Sequence, residues 1–242
     1  EMFPEIAKIA NVTSRQIIQT QSEMMRIPHY NLMAKEIEKE IKKGTDGIII
    51  SHGTDTLHYS SAALAFALEN IPVPVILVGA QRSSDRGSSD AALNIISAAY
   101  FITNSDFRGV AMCMHENISD NSCLILPATK TRKMHTSRRD AFRPINAKPI
   151  ARVDYGDSNI SLISKNYDKV DKNQKIGVKL FKENLKVGVI KSYPEILAAQ
   201  LLFFKRYDAI LYTPMLAPTS IIVSPSSKSD MNLYIPGSNA KK

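Results

Sequence analysis

"GIIISHGTDTLHYSSAALAFALEN", Gly47 to Asn70, runs from apolar positions into a polar turn and then into an alanine-rich stretch. Gly47 to Ser51 has the length and unbroken apolar character of a strand buried on both faces, and the residues after Thr56 carry an amphipathic helical pattern. Between them Ser51, His52, Gly53, Thr54, Asp55 and Thr56 crowd hydroxyls, an imidazole and a carboxylate into one turn. Such side chains ahead of a helix act as N-caps. The carboxyl end of a parallel strand is also where α/β sheets bind ligands, because loops and helix N-termini converge there.

Working outward, Met33, Ile37 and Ile41 recur every four residues among Lys and Glu, with Gly44 as a stop, which predicts a surface helix over about 30–43. "PVPVILVGA" (Pro72 to Ala80) repeats the buried-strand pattern. "DAALNIISAAYFI" (Asp90 to Ile102) predicts a helix with Leu93, Ile96 and Tyr100 inward, and "GVAMCMH" (Gly109 to His115) a third strand. Alternating strands and helices with continuous apolar strands predict an α/β fold, a parallel open sheet with helices on both faces. Residues 1–150 are expected to form this domain. The Lys- and Asn-rich stretch from Tyr155 to Asn184 reads as irregular, so 151–186 is expected to be a connector. "KVGVIKS", "EILAAQLLFFKR" and "YDAILY" then predict a second, smaller α/β domain in 187–242, and its last stretch, rich in Pro and Ser, is expected to be poorly ordered.

A chain of 242 residues with 44% hydrophobic content can bury a core, which excludes a disordered class. No apolar run reaches membrane-span length, and "EMFPEIAKIANV" lacks the basic-then-apolar order of a signal peptide, so a cytoplasmic protein with no membrane contact is expected. Cys113 and Cys123 show no CxxC spacing and are expected to be reduced, without a role. His29, His52, His58, His115 and His135 lack ligand spacing, so no metal is expected. The net charge of +8 would suit a polyanion such as RNA, but the basic residues are spread along the chain without interleaved aromatics.

Three polar clusters fall at strand ends and should meet: "SHGTDT", "GAQRSSDRGSSD" and "HENISD". Ser89 and Asp90 read as caps of the following helix. "KTRKMHTSRRDAF", Lys130 to Phe142, adds a dense run of cations and hydroxyls. A threonine hydroxyl becomes reactive at neutral pH when a base takes its proton, and a lysine serves once burial or charge lowers its pKa. Thr, Lys and Asp together would make a hydrolytic relay, with Asp55 orienting the lysine or holding a substrate ammonium. A capped helix beside a solvated basic loop accounts for the same residues, and spacing leaves both readings open.

"SHGTDT" resembles the second signature of the asparaginase/glutaminase family, and "VILVGAQRSSDRGSSDAALN" with "RKMHTSRRDAF" is similar to its archaeal branch, the D subunits of glutamyl-tRNA(Gln) amidotransferase. The resemblance covers about residues 1–212. It implies a Thr-Lys-Asp catalytic set of Thr54, Lys133 and Asp55. It also implies that Ser22 and Glu23 in "TQSEMM" grip the α-carboxylate and α-amino groups of the substrate, together with Gly53, and that the backbone of Ala80 faces the substrate amide. The activity implied is release of ammonia from glutamine or asparagine through an acyl-enzyme. A partner subunit would use ATP and Mg to activate tRNA-borne glutamate, so this chain needs no cofactor and meets tRNA mainly through the partner, around a homodimeric core.

The chain also departs from the family pattern. The family opens with a strand and a TGGTIAS-like turn carrying the nucleophilic threonine, and Glu1 falls after that turn. "TPMLAP" stands where a Gly-Thr-Gly turn would follow "DAILY". A chain truncated at both ends, and a poor catalyst as it stands, is therefore expected. A stand-alone cytoplasmic L-asparaginase and a non-catalytic remnant of the family are the alternative readings.

Overall fold

In the computed structural model, which describes residues 4–83, 85–157, 159–171, 173–191, 193–196, 200, 203–213 and 221–223, each continuous apolar run becomes a strand. In chain order the elements are α1 (Ile27–Lys42), β1 (Ile48–Ser51), α2 (Leu57–Ala67), β2 (Leu68–Glu69), β3 (Pro74–Val78), α3 (Ala91–Asn104) and β4 (Gly109–His115). Then follow β5 (Ser122–Pro127), β6 (Thr131–Lys133), β7 (Phe142–Pro144), β8 (Ala151–Asp154), β9 (Ile160–Leu162), β10 (Gly177–Val178), β11 (Val187–Lys191), β12 (Ala209–Thr213) and β13 (Ile221–Val223).

The main sheet has six strands in the order β1-β3-β4-β5-β8-β9. β1, β3 and β4 pair in parallel, because α2 and α3 form the crossovers between them. β5 reverses direction after a six-residue turn, 116–121, and β8 and β9 continue antiparallel. The parallel half carries the strand ends at which the polar clusters converge. The side-chain period of two divides the core. Val75, Leu77, Met112 and Met114 face α1 and α2, where Met33, Ile37, Leu57 and Leu64 are buried. Ile76, Val78, Ala111 and Cys113 face Leu93, Ala98 and Phe101 of α3.

α1 is amphipathic as its spacing predicts. Met33, Ala34 and Ile37 are buried, Lys42–Glu38 and Lys43–Glu40 ion pairs lie outside at 2.7 and 3.0 Å, and Gly44 takes the left-handed conformation (φ 91°) beyond the end.

The sheet runs on past the expected boundary at residue 150. β8 and β9 lie within the expected connector, and β10 pairs antiparallel with β2. Asn31 of α1 fastens the far end: its side-chain amide donates to the Phe181 carbonyl at 3.0 Å and accepts from the Phe181 N–H at 2.8 Å. Glu1–Phe181 thus forms one compact unit and Lys182–Lys242 another. The described Lys and Asn of this stretch face solvent, while Val153, Val178 and Phe181 pack on the core.

In the second unit β11 and β12 are parallel and β13 returns antiparallel. Phe204 packs where a side chain on Gly188 would sit, its ring carbon 2.4 Å from an added Cβ, and Tyr207 stacks beside it. In the region of the expected helix "EILAAQLLFFKR", Gln200 is helical and Phe203–Arg206 is a 3-10 turn, while 197–199 and 201–202 lie outside the described residues. The stretch expected to be poorly ordered contributes β13 to this sheet; apart from Thr213 and β13, it too lies outside them.

Asn31→Ala removes both partners of the Phe181 peptide groups, and leaving a part-buried donor and acceptor unmade costs about 1–3 kcal/mol. Urea unfolding should show a loss of that size, and limited proteolysis should gain a cut near residues 176–181.

Candidate active site

The turn after β1 is wedged between two backbones. The ladder continues past Ser51, with His52 N–H donating to the Val78 carbonyl at 2.9 Å. A Cβ on Gly79 would lie 2.8 Å from the Thr54 methyl carbon and 2.9 Å from the His52 carbonyl oxygen, so only glycine lets the turn lie against the end of β3. On the other side, a Cβ on Gly53 would meet Ser22 Cβ and Oγ at 2.8 Å. The Thr56 hydroxyl donates to the Ser22 carbonyl at 2.6 Å, and Ser22 is buried. Glu23 beside it is exposed and accepts a 3.4 Å hydrogen bond from Ser22 Oγ.

His52 braces the turn as a neutral imidazole. Its Nδ1–H donates to the Gly53 carbonyl at 2.7 Å, and Nε2 accepts from Ser60 Oγ at 2.8 Å. Burial pushes its pKa below the ordinary value, against the opposing pull of the Gly53 carbonyl.

Lys133 comes from the distant hairpin of β6 and β7, where it pairs with the fully buried Phe142. Its Nζ donates to Thr54 Oγ1 at 2.9 Å and to Asp55 Oδ1 at 2.7 Å. The lysine side chain is only 8% exposed, whereas that of Asp55 is 63% exposed. Thr54, Asp55 and Lys133 therefore meet at the carboxyl end of β1, from segments 79 residues apart. An amine in hydrogen-bond contact with a hydroxyl, oriented by a carboxylate, is the geometry of a base-assisted hydroxyl or water relay. One helical turn along α2, burial and the nearby Arg132 and Lys133 hold the His58 pKa down, which keeps a third cation away from this cluster.

Ser22 and Gly53 touch each other beside Thr54, Glu23 lies at the rim, and Ala80 follows Gly79 at the end of β3. The expected capping roles are redistributed. Thr56 makes no side-chain cap to α2, since its hydroxyl goes to Ser22. Asp90 does not cap α3; its buried carboxylate accepts the N–H groups of Gln81 and Arg82 at 3.1 and 2.9 Å and so clamps the loop after β3. Ser89 Oγ accepts the Ala91 N–H at 3.2 Å. His135 orders its own turn, accepting the N–H groups of Ser137 and Arg138 at 3.2 Å.

The basic run is partly fastened rather than solvated. Arg138 and Arg143 both pair with the buried Asp140, whose pKa Arg138 in particular holds down. Among the described residues no group of three or more His, Cys, Asp or Glu could hold a metal ion, and no helix is long and apolar enough to cross a membrane.

Sequence reasoning missed Gly79 and the clamp made by Asp90. Their signals were a glycine directly after a buried strand, and an Asp and an Asn four residues apart on an otherwise apolar helix face.

Gly79→Ala should destabilise by about 1–3 kcal/mol through overpacking and displace Thr54 from Lys133, readable by denaturant unfolding and by a structure of the variant. For His52 the folded-state pKa lies below the ordinary 6.5, so below that pH the unfolded chain takes up a proton that the folded site refuses. Stability therefore falls on acidification, and His52→Gln should flatten the stability curve between about pH 7 and pH 5.

Residues 1–166 match the family model described as "Asparaginase, N-terminal". The glutamyl-tRNA(Gln) amidotransferase D subunit of Methanococcus vannielii is 43% identical over 217 residues, covering 86% of this chain and 49% of the relative. The D subunit of the same amidotransferase from Pyrococcus furiosus is 44% identical over 211 residues, covering 86% and 47%. The chain thus spans about half the length of the curated relatives it matches. Among solved structures, the thermostable L-asparaginase from Thermococcus kodakarensis is similar with a TM-score of 0.69 and 28% identity over 86% of this chain and 61% of that one. A probable cytoplasmic L-asparaginase from Campylobacter jejuni gives 0.70 and 26% over 87% and 63%. With more than half its length matched by that family model, the chain belongs to the asparaginase family.

Proposed function

We propose that this chain is the amidase part of a D-type subunit of glutamyl-tRNA(Gln) amidotransferase, releasing ammonia from glutamine or asparagine, with Thr54, Lys133 and Asp55 as its proton relay. The observation that carries the reading is the Lys133 amine bridging Thr54 Oγ1 and Asp55 Oδ1 at 2.9 and 2.7 Å.

In the reaction a neutral Lys133 amine takes the proton of the Thr54 hydroxyl, or through that hydroxyl the proton of a water, and Asp55 stabilises the ammonium that results. In acylation the hydroxyl oxygen of the nucleophilic threonine replaces nitrogen on the acyl carbon and its proton leaves on the ammonia; in deacylation the water oxygen replaces that threonine oxygen, and the proton taken from the water through Thr54 and Lys133 returns to the released threonine. The covalent nucleophile is the threonine of the family's glycine-rich opening turn, which residues 1–242 do not include. The Ser22 hydroxyl suits the substrate α-carboxylate and Glu23 its α-ammonium, while Gly53 keeps Ser22 close and the Ala80 backbone faces the amide. The N–H groups of Gln81 and Arg82 belong to Asp90, so the oxyanion takes its donors elsewhere.

A partner subunit would receive the ammonia and supply ATP and Mg to activate glutamate on a tRNA that it mainly holds, in a cytoplasmic assembly around a homodimeric core. The name shared by the relatives at 43–44% identity supports this part of the reading. The likeness to L-asparaginases in fold favours a second reading, a stand-alone asparaginase. Co-purification of a second subunit separates the two.

The test is ammonia release from glutamine and asparagine by the chain extended with the opening strand and nucleophile turn. Lys133→Ala and Thr54→Ala should each lower kcat by about 10²–10⁴-fold. Lys133→Arg should fare no better, because a guanidinium cannot give up its proton. Parent-level turnover by Lys133→Ala overturns the assignment.

A further inference from the structure

His115, at the end of β4, has a completely buried side chain and takes no part in the relay. Its hydrogen bonds nonetheless lead to the candidate site by two routes. Nδ1 lies 2.8 Å from Asn94 Oδ1 and Nε2 lies 3.4 Å from Asp120 Oδ1. The Asn94 amide nitrogen donates to the Gly79 carbonyl at 2.8 Å and reaches Asp90 Oδ2 at 3.3 Å, so the oxygen that faces His115 is fixed as an acceptor. Both ring nitrogens thus point at acceptors, and an imidazole that satisfies both must carry two protons.

The chain of contacts closes on itself. Asp120 accepts from Arg139, whose side chain is only 11% exposed and also donates to the Ser88 carbonyl. The neighbouring Arg138 carbonyl accepts the Gln81 side-chain amide at 2.7 Å. The Gln81 N–H goes to Asp90, and Asp90 returns to Asn94. The ring holds the loop after β3 against the turn that follows Lys133, and through Asn94 it fixes Gly79, the residue against which Thr54 packs.

We propose that His115 is a positioning residue of this site: as an imidazolium clamped between Asn94 and Asp120 it closes the ring, and its deprotonation releases the Asp120–Arg139 arm. The role rests on the amidase reading above, while the ring itself does not. Four other titratable groups face the imidazole or its partner: Cys123 from β5, Asp120 from the turn, Asp90 from the start of α3 and, beyond Asp120, Arg139. Cys113 lies two residues back on β4. Burial opposes the imidazolium, but the contact with Cys123, whose own pKa is pulled down to about 6, and the charges of Asp120 and Asp90 outweigh it, so the net displacement is upward. Cys123 Sγ lies 3.2 Å from the same Asn94 oxygen and 4.0 Å from Nδ1. The pH signs separate His115 from Lys133: a lysine base gains activity as pH rises, whereas opening the ring loses it.

The experiment uses the extended chain, with the imidazole nitrogens followed by NMR, amide exchange measured at Gln81 and Arg82, and ammonia release recorded against pH. In the parent, both His115 nitrogens should be protonated at neutral pH, and the alkaline fall in kcat/KM should track their titration. Asp120 is 66% exposed, so Asp120→Asn should fold. In that variant the His115 midpoint should drop, the two amides should exchange roughly tenfold faster, and the alkaline fall should move to lower pH. His115→Gln, which cannot titrate, should lose the alkaline fall. A neutral His115 in the parent, or unchanged exchange in Asp120→Asn, overturns the ring. Lys133-dependent turnover whose alkaline fall ignores His115 overturns the positioning role alone. A ring that behaves as described in a chain without Lys133-dependent turnover would overturn the amidase reading and, with it, the role at that site.

Discussion

A lysine amine that is 8% exposed must find partners, and the pairing of Lys133 with Thr54 and Asp55 binds the β6–β7 hairpin to the turn after β1. Removing a charge from water costs more than a single ion pair returns unless further hydrogen bonds complete the shell. Here the shell is one exposed carboxylate and one hydroxyl, a poor arrangement for stability and a useful one for moving protons. The close packing around it follows from the same requirement. Gly79 brings the end of β3 against Thr54, Gly53 brings Ser22 against the turn, and neutral His52 supports it from Ser60.

The sheet places these pieces. Its parallel half, β1-β3-β4, sends three strand ends to one edge, and its antiparallel half, β5-β8-β9, extends the core and carries the hairpin that delivers Lys133. The polar network behind the edge has a different character from the relay. It is built from Asn94, Asp90 and His115, all buried and satisfied by one another, by backbone and, at His115 Nε2, by Asp120, and it fixes loops instead of reacting. A connected network of this kind specifies one loop arrangement, because any partly broken version leaves buried polar groups unpaired.

Much of this was legible in residue order. The strands β1, β3 and β4, the three helices of the first unit and the polar character of the strand ends follow from apolar runs and periodicity, since those patterns depend on neighbours near in sequence, although β1 lies at the sheet edge and is only partly buried. The strands β8 and β9 were hidden because they are only four and three residues long, with Arg152 and Asp154 alternating with Ala151 and Val153 in β8, and because Lys and Asn dominate the stretch around β9. Thr56 and Asp90 misled for a related reason. A side chain suited to a cap is equally suited to a carbonyl or an N–H group brought from elsewhere, and the local sequence does not say which arrives.

By itself the sequence determined the α/β class, the order of the elements from α1 to β4 apart from the short β2, and the residue types gathered at each strand end, because burial and periodicity are local constraints that the chain must satisfy wherever it folds. Resemblance added the family and the roles expected of Thr54, Asp55 and Lys133. Only the tertiary structure decided that an amine 79 residues away sits 2.9 Å from the Thr54 hydroxyl, that Asp90 holds a loop instead of a helix end, and that His115 faces two acceptors at once. Hydrogen bonds act over about 3 Å and have no sequence range. Their partners are chosen by packing of the whole sheet, and no stretch of the chain contains that information alone.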